Sequence, residues 1–145
     1  MYDDILLPTD GSDATVAAID HAVALAERFD ATLHGLYVID TSERFYEDAI
    51  EKLNDEAQAR GERSLSAVLD ATEGTGVIAE AEVQRGVPYK TVNDYVEAND
   101  IDLIVMGTHG RTGFDRMVLG STTEKVVRTA DVPVMTVRAD EVEET

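Results

Sequence analysis

Short apolar runs alternate with amphipathic segments along the whole of this 145-residue chain. The runs have the length of buried β-strands, whereas the segments between them repeat apolar residues at steps of three and four, the period of an α-helix. This alternation is typical of parallel strands joined by crossover helices. The sequence therefore predicts an α/β fold, an open parallel sheet with helices on both faces.

Five strands and four helices are predicted. We expect the strands at Ile5–Leu7, Leu33–Ile39, Val77–Gln84, Leu103–Met106 and Val134–Val137. We expect the helices from an N-cap at Ser12 to about Phe29, from about Tyr46 to Ala71, from Pro88 through Val96, and from Ser121 to Arg128. One core of this size predicts a single domain over residues 1–138, followed by an acidic tail over 139–145.

The long second helix carries a glycine on its apolar stripe. We interpret Gly61 as a site of close packing between the helix and the sheet, because it replaces an apolar side chain in a regular series. His34, in the second strand, is likewise interpreted as structural. The stripe consists of Ile50, Leu53, Ala57, Gly61, Leu65 and Val68.

The composition excludes several classes of function. The chain has no cysteine, and its three histidines lack the spacing of metal ligands, so we expect no metal site built from protein side chains alone. A formal net charge of -18 disfavours nucleic acids and anionic membranes as partners. No apolar run approaches the roughly 20 residues of a membrane span, and we expect a cytoplasmic protein.

The acidity also predicts adaptation to salt, since Asp and Glu total 30 residues against 12 of Lys and Arg. Molar salt shortens the Debye length to about 3 Å, which relieves repulsion among such charges. We therefore expect a higher melting temperature in molar KCl than in dilute buffer. A melting temperature already maximal in dilute buffer would contradict this halophilic interpretation.

A glycine-rich segment follows the fourth strand and precedes the last helix. Its glycines, Gly107, Gly110, Gly113 and Gly120, leave room for an anion and allow successive amides to point at it. Ser121 and Glu124 form a capping-box pattern, which predicts a helix start and the positive end of its dipole. Between Gly107 and Arg128 there are four cationic residues and two anionic ones, and this local excess of positive charge suits an anionic ligand. The segment therefore predicts a phosphate site where a strand meets a helix.

The phosphates are expected chiefly on backbone amides, because neither GxxxxGK[ST] nor GxGxxG is present. The hydroxyls of Ser121, Thr122 and Thr123 are expected to assist. His109 and Arg111 are candidates to reach the phosphates from the loop, and His109 is not expected to act as a general base because no partner carboxylate lies near it in sequence.

Asp10 follows the first strand, at the same sheet edge as the glycine segment. Its carboxylate is a candidate acceptor for an adenine amino group or a ribose hydroxyl; alternatively, it only caps the turn formed with the next two residues. Thr9 offers a hydroxyl, Pro8 a rigid approach, and Val38 backbone groups and an apolar wall for a base.

Nearly the whole chain resembles the universal stress proteins, chiefly over residues 5–12, 102–111 and 133–138. The most specific part is the family's ATP-binding pattern of glycine, two residues, glycine, nine residues, glycine and then serine or threonine. Both gaps are intact in Gly107, Gly110, Gly120 and Ser121.

The resemblance implies strand order 3-2-1-4-5 in a fold like the adenine nucleotide alpha-hydrolases, with ATP or another adenine nucleotide between strands one and four. It implies Mg²⁺ or Mn²⁺ on the phosphates, and a homodimer formed through the strand from Val132 to Val137. Adenine and ribose are implied near Pro8, Thr9, Asp10 and Val38. Phosphates are implied at Gly107, Gly110, Gly120, Ser121 and Thr122, and we add Met106, at the end of the fourth strand, to the candidate site.

Three functions remain open from the sequence. The first is a nucleotide-responsive regulatory module in the stress response, which the intact glycine spacing favours. The second is a slow ATPase or phosphotransferase that uses Arg111 and His109, which the lack of an identifiable base disfavours. The third is a nucleotide-independent, chaperone-like binding protein.

Overall fold

A computed structural model describes residues 1–41, 47–108 and 119–139, with the backbone alone at 47–54. The strands are β1 (Asp4–Pro8), β2 (Thr32–Asp40), β3 (Ala79–Gly86), β4 (Leu103–Gly107) and β5 (Val134–Val137). The helices are α1 (Asp13–Phe29), α2 (Glu47–Thr72), α3 (Pro88–Ala98) and α4 (Ser121–Thr129). The predicted elements are confirmed, with shifts at some of their ends. Tyr46 and most of the acidic tail, residues 140–145, lie outside the described residues.

The five strands form one parallel sheet in the order β3-β2-β1-β4-β5, as the resemblance implied. Strand β1 pairs with β2 along its whole length, from Asp4 opposite Thr32 to Pro8 opposite Leu36. Its pairing with β4 is much shorter. The order of the strands reverses between β1 and β4, which is the point where open α/β sheets form a crevice.

Helices α1 and α2 cover one face of the sheet, and α3 and α4 cover the other. Ile5 and Leu7 point to the first face, where they pack with buried residues of α1 and with Val68 of α2. Leu6 points to the second face, into a cluster with residues of α3 and with Val126 of α4. This alternation follows from the period of two in a strand, and full burial of each leucine contributes about 1.5–3 kcal/mol.

The glycine on the stripe of α2 packs directly against β2, as predicted. A Cβ atom built on Gly61 would lie 2.7 Å from Cδ1 of Tyr37, so only glycine permits this approach of helix to sheet. Leu65 and Val68, further along the stripe, are buried. The side chains of Ile50 and Leu53 lie outside the described residues.

Strand β3 begins two residues later than predicted, because Val77 is still bonded to the turn that precedes the alternating segment. The amide of Val77 donates to the hydroxyl oxygen of Thr75 at 3.1 Å, and Gly76 has a φ of 82°. Register with β2 starts only at Ala79, opposite Leu33. The turn's own hydrogen bonds therefore set the strand boundary.

His34 is structural, as predicted. Its Nδ1 lies 2.8 Å from the hydroxyl of Tyr95, and its Nε2 lies 2.9 Å from Oδ1 of Asp4. Both ring nitrogens are engaged, so the three side chains link β1, β2 and α3 near the amino-terminal edge of the sheet. The candidate ligand site lies at the opposite edge.

Candidate functional site

A crevice opens at the carboxyl edge of the sheet, between β1 and β4. The two strands are in register only at Ile5–Leu103 and Leu6–Ile104. Beyond these pairs, the amide of Thr9 donates to the carbonyl of Leu36 in β2 at 2.8 Å. The amide of Thr108 donates in the other direction, to the carbonyl of Val137 in β5, at 2.9 Å. Beyond their short pairing, β1 and β4 therefore diverge, with the residue after β1 bonded to β2 and the residue after β4 bonded to β5.

Gly107, at the end of β4, allows the first turn of α1 to lie against the crevice. A Cβ atom built on Gly107 would lie 2.8 Å from both the carbonyl carbon and the Cβ of Ala14, and 3.0 Å from the amide nitrogen of Thr15. These atoms belong to backbone or to a rigid methyl group, and none of them can swing aside. Packing against α1 therefore requires glycine here, whatever ligand the segment binds.

Helix α4 begins at the crevice without a side-chain cap. Its N-cap is Gly120, whose carbonyl accepts from the amide of Glu124 at 2.8 Å. The predicted capping box is therefore wrong: Ser121 is the first helical residue rather than the cap, and the Glu124 carboxylate instead pairs with Arg128 at 3.0 Å. First-turn amides that no side chain caps are available to an anion.

Two hydrogen bonds fasten the start of α4 to the end of β4. The amide of Gly120 donates to the carbonyl of Thr108 at 2.6 Å, and the buried hydroxyl of Thr123 donates to the carbonyl of Gly107 at 2.8 Å. The single proton of the Thr123 hydroxyl is thereby used within the fold. Ser121 is exposed and Thr122 half-buried on the same first turn.

Asp10 holds the loop between β1 and α1. Its Oδ1 accepts from the amide of Ser12 at 2.9 Å and from the hydroxyl of Thr15 at 3.0 Å. This oxygen therefore caps the turn, as the alternative interpretation of Asp10 predicted. Ser12 is the N-cap of α1, as predicted, and its Oγ accepts from the amide of Thr15 at 3.4 Å. The carboxylate of Asp10 is half-buried at the sheet edge, beside the crevice.

The remaining predicted residues lie at or near the carboxyl ends of three strands. Pro8 ends β1 and is half-buried, and Thr9 follows it, buried. Val38 of β2 and Met106 of β4 both join the apolar cluster on the α3 and α4 face of the sheet. The structure thus brings the described candidates to one sheet edge. His109, Gly110 and Arg111 lie outside the described residues.

Two arginines beside this edge were missed by the sequence reasoning. Arg60 and Arg63 of α2 line a cavity of about 360 Å³ together with Asp10 and Gly11. The signal available in the sequence was a pair of cations three residues apart, on the same side of a helix, in a strongly acidic chain.

Within residues 1–41, 47–108 and 119–139, no group of three or more histidine and acidic side chains is arranged to hold a metal ion. In the same part of the chain, no helix has the length and apolar character needed to cross a membrane.

A comparison across protein families agrees with the resemblance. The sequence pattern of the universal stress protein family matches residues 1–138. The chain belongs to that family. Universal stress protein MJ0531 of Methanocaldococcus jannaschii is 37% identical over 141 residues, which cover 95% of this chain and 83% of the relative.

Solved structures of universal stress proteins share the same architecture. The UspA protein from Lactobacillus plantarum is 33% identical with a TM-score of 0.83, over 94% of this chain and 98% of that one. Protein MJ0577, of Methanocaldococcus jannaschii, is 28% identical with a TM-score of 0.89, over 97% of this chain and 99% of that one. The predicted fold class is therefore confirmed.

Proposed function

We propose that this universal stress protein binds ATP, or another adenine nucleotide, in the crevice between β1 and β4, and acts as a nucleotide-responsive regulatory module in the stress response. The observation that carries the proposal is the uncapped start of α4 beside two strands that diverge after Leu6 and Ile104. First-turn amides without a side-chain cap suit phosphates, and the cleft between diverging strands suits the rest of a nucleotide.

The proposed site uses both sides of the crevice. Adenine and ribose are assigned to Pro8, Thr9, Asp10, Val38 and Met106. Phosphates are assigned to Gly107, Gly110, Gly120, Ser121 and Thr122, with His109 and Arg111 reaching them from the loop, and with Thr123 holding α4 to β4. Mg²⁺ or Mn²⁺ would be held by the phosphates themselves and would neutralise part of their charge.

Solved neighbours that carry adenine nucleotides support this class of ligand. A universal stress protein in complex with cAMP is 24% identical with a TM-score of 0.74. An Arabidopsis thaliana family member with bound AMP is 20% identical with a TM-score of 0.73, and an Archaeoglobus fulgidus protein in complex with dAMP is 20% identical with a TM-score of 0.68. These proteins are similar to this chain in fold, and binding of an adenine nucleotide by this chain is part of the proposal.

The proposed response starts at α4. A phosphate on its first turn would act on β4 through the hydrogen bonds of Gly120 with Thr108 and of Thr123 with Gly107. Strand β4 pairs with the edge strand β5, from Ile104 opposite Val134 to Gly107 opposite Val137. Nucleotide binding in the crevice would thereby affect the edge strand β5, which a partner can contact.

We also propose that β5 forms a homodimer contact through residues 132–137. Within the described residues β5 pairs with β4 only, and Met135 on it is 37% exposed, so this edge benefits from cover. A monomer in light scattering at micromolar concentration would contradict the contact. We further propose that the protein is cytoplasmic and that its acidic surface is adapted to high salt.

Gly120→Val is expected to weaken binding of ATP with Mg²⁺ at least tenfold, or about 1.4 kcal/mol. Gly120 has a φ of -61° and a ψ of 154°, which any L-residue adopts, so the new side chain blocks the approach of phosphate without backbone strain. Titration calorimetry would measure the affinity and the expected stoichiometry of one nucleotide per subunit.

Ser66→Val, on an exposed position of α2, adds comparable bulk away from the crevice and should retain wild-type affinity. Equal affinity of Gly120→Val and the wild type would refute the assigned phosphate site. Rapid phosphate release that is lost in His109→Ala or Arg111→Ala would favour the ATPase alternative over a purely regulatory module.

A further inference from the structure

Helices α1 and α2 border a cavity of about 360 Å³ on the face of the sheet away from Val38 and Met106. It is lined by Val16 and Ile19 of α1 and, from α2, by Arg60, Arg63, Ser64 and Ala67. The loop of residues 9–11 closes one end. Among the described residues, the cavity shares Thr9 and Asp10 with the proposed nucleotide site, and its other lining residues are Gly11 and residues of α1 and α2.

Arg60 and Arg63 are the cationic groups of this cavity. Across the part of the chain that the structure describes, no ion pair involves Arg60 or Arg63, although the chain has 30 acidic residues and 12 basic ones. By contrast, Arg128 on the surface of α4 pairs with Glu124. Residues three apart on a helix lie on one side of it, so both guanidinium groups border the same space. Two guanidinium groups at one cavity are suited to an anion.

The carboxylate of Asp10 also lines the cavity, and its Oδ1 accepts from the amide of Ser12 and the hydroxyl of Thr15 within its own loop. The two arginines exceed this single negative charge, so the cavity keeps a net positive charge.

The hydroxyl of Ser64 donates to the carbonyl of Arg60 at 3.0 Å, so its proton is used. Gly11 has a φ of 79°, and a Cβ on it would lie 2.7 Å from Oγ of Ser64, which shows how closely the loop lies on α2. The amide of Gly11 is near the hydroxyl oxygen of Thr9, at 3.3 Å. The guanidinium groups are therefore the strong donors that the cavity offers a ligand.

Apolar side chains form the rest of the wall. Val16 is 53% exposed and Ile19 is buried beneath it, so the space between the helices has an apolar side next to its cationic side. A ligand that fills such a space needs an anionic head and an apolar body. Inorganic phosphate alone would use only the arginines.

The geometry points to a second ligand site, in which Arg60 and Arg63 bind the head group of a small phosphate monoester and Val16 and Ile19 contact its apolar body. Guanidinium groups match phosphate oxygens with paired hydrogen bonds, which gives them an advantage over other cations. The volume lies within the roughly 300–1,000 Å³ that is usual for small-molecule sites. This inference goes beyond the nucleotide proposal and does not depend on it.

Phenyl phosphate is a suitable probe, and ¹⁵N-labelled full-length protein reports where it binds. We expect saturable shifts at millimolar probe in the amide signals of Gly11, Ser64 and Ala67. Arg60→Gln/Arg63→Gln should weaken this binding at least tenfold, because hydrogen bonds to charged groups are each worth about 1.5–3 kcal/mol. Arg63→Gln alone, at an exposed position that the fold does not need, should weaken it severalfold.

Arg28→Gln/Arg85→Gln makes the same change of charge at exposed positions outside this cavity and should retain wild-type binding. The inference is overturned if the control loses as much affinity as Arg60→Gln/Arg63→Gln. It is also overturned if neutral benzyl alcohol binds as well as phenyl phosphate, or if phenyl phosphate shifts only the signals of Ser121 and Thr122.

ATP with Mg²⁺, titrated into the same samples, separates the two sites. It should shift Ser121 and Thr122 in the wild type and in Arg60→Gln/Arg63→Gln alike. A wild type that binds phenyl phosphate at Gly11 and Ala67 but does not bind ATP would refute the proposed function and leave the second site standing. The reverse outcome would refute the second site alone.

Discussion

Replacing Gly107 by valine is expected to lower the free energy of unfolding by about 3 kcal/mol or more. The first added atom, Cβ, would already lie 2.8 Å from the carbonyl carbon and the Cβ of Ala14, and the two methyl groups would have to enter the same contact. Relief requires the amino-terminal turn of α1 to move away from β4, which exposes Val105 and Ala18 of the buried cluster on that face. Urea denaturation followed by circular dichroism would measure the loss.

Alanine variants separate crowding from backbone strain. Gly107→Ala should cost about 1–3 kcal/mol through crowding alone. Gly74→Ala meets no atom within 4 Å but sits at a φ of 77°, so its cost of about 1 kcal/mol would come from the backbone. Adding Ala14→Gly to Gly107→Ala should recover only part of the loss, because the Ala14 carbonyl carbon stays in place. Wild-type stability of Gly107→Val would show that α1 does not need this approach.

Gly107 also illustrates which features of the protein can be predicted from its sequence and which cannot. The spacing of the glycines predicts Gly107 as a phosphate ligand, because spacing along the chain is visible in the sequence. The contact with Ala14 is not visible there, since it joins two distant segments that meet only when α1 crosses the sheet. In the same way, the apolar runs predict the ends of β1, β2, β4 and β5 to within one residue, whereas a hydrogen bond of the preceding turn moves the start of β3 by two residues.

The candidate site was predictable in its position but not in all its details. Parallel strands bring their carboxyl ends together, so Asp10 and the glycine segment had to share an edge. Which residue caps α4 depends on one pair of backbone angles, and the structure gives that position to Gly120 rather than Ser121. The arginines of α2 reach the same edge through the packing of α2 beside α1, which periodicity alone does not specify.

Above pH 10 the protein is expected to lose about 2–3 kcal/mol of stability through Tyr95 alone. Burial raises the pKa of the Tyr95 hydroxyl from 10.0 to about 12, and the carboxylates of Glu82, Glu80 and Asp4 add to the rise. Between these two pH values the unfolded chain releases the tyrosine proton while the folded protein keeps it. The unfolded state then binds fewer protons, so stability falls as the pH rises through this window.

Tyr95→Phe provides the matched comparison, because it removes the titrating hydroxyl and keeps the buried ring. At neutral pH the variant should be less stable than the wild type by about 1 kcal/mol, since His34 Nδ1 loses its partner at 2.8 Å. Between pH 10 and 12 it should lose less stability than the wild type, because it has no proton to release at this position. The two curves of unfolding free energy against pH should therefore cross within that window, and urea titrations at several pH values would trace them. Parallel curves would show that the Tyr95 hydroxyl titrates alike in the folded and unfolded chains, and that its burial beside His34 does not control alkaline stability.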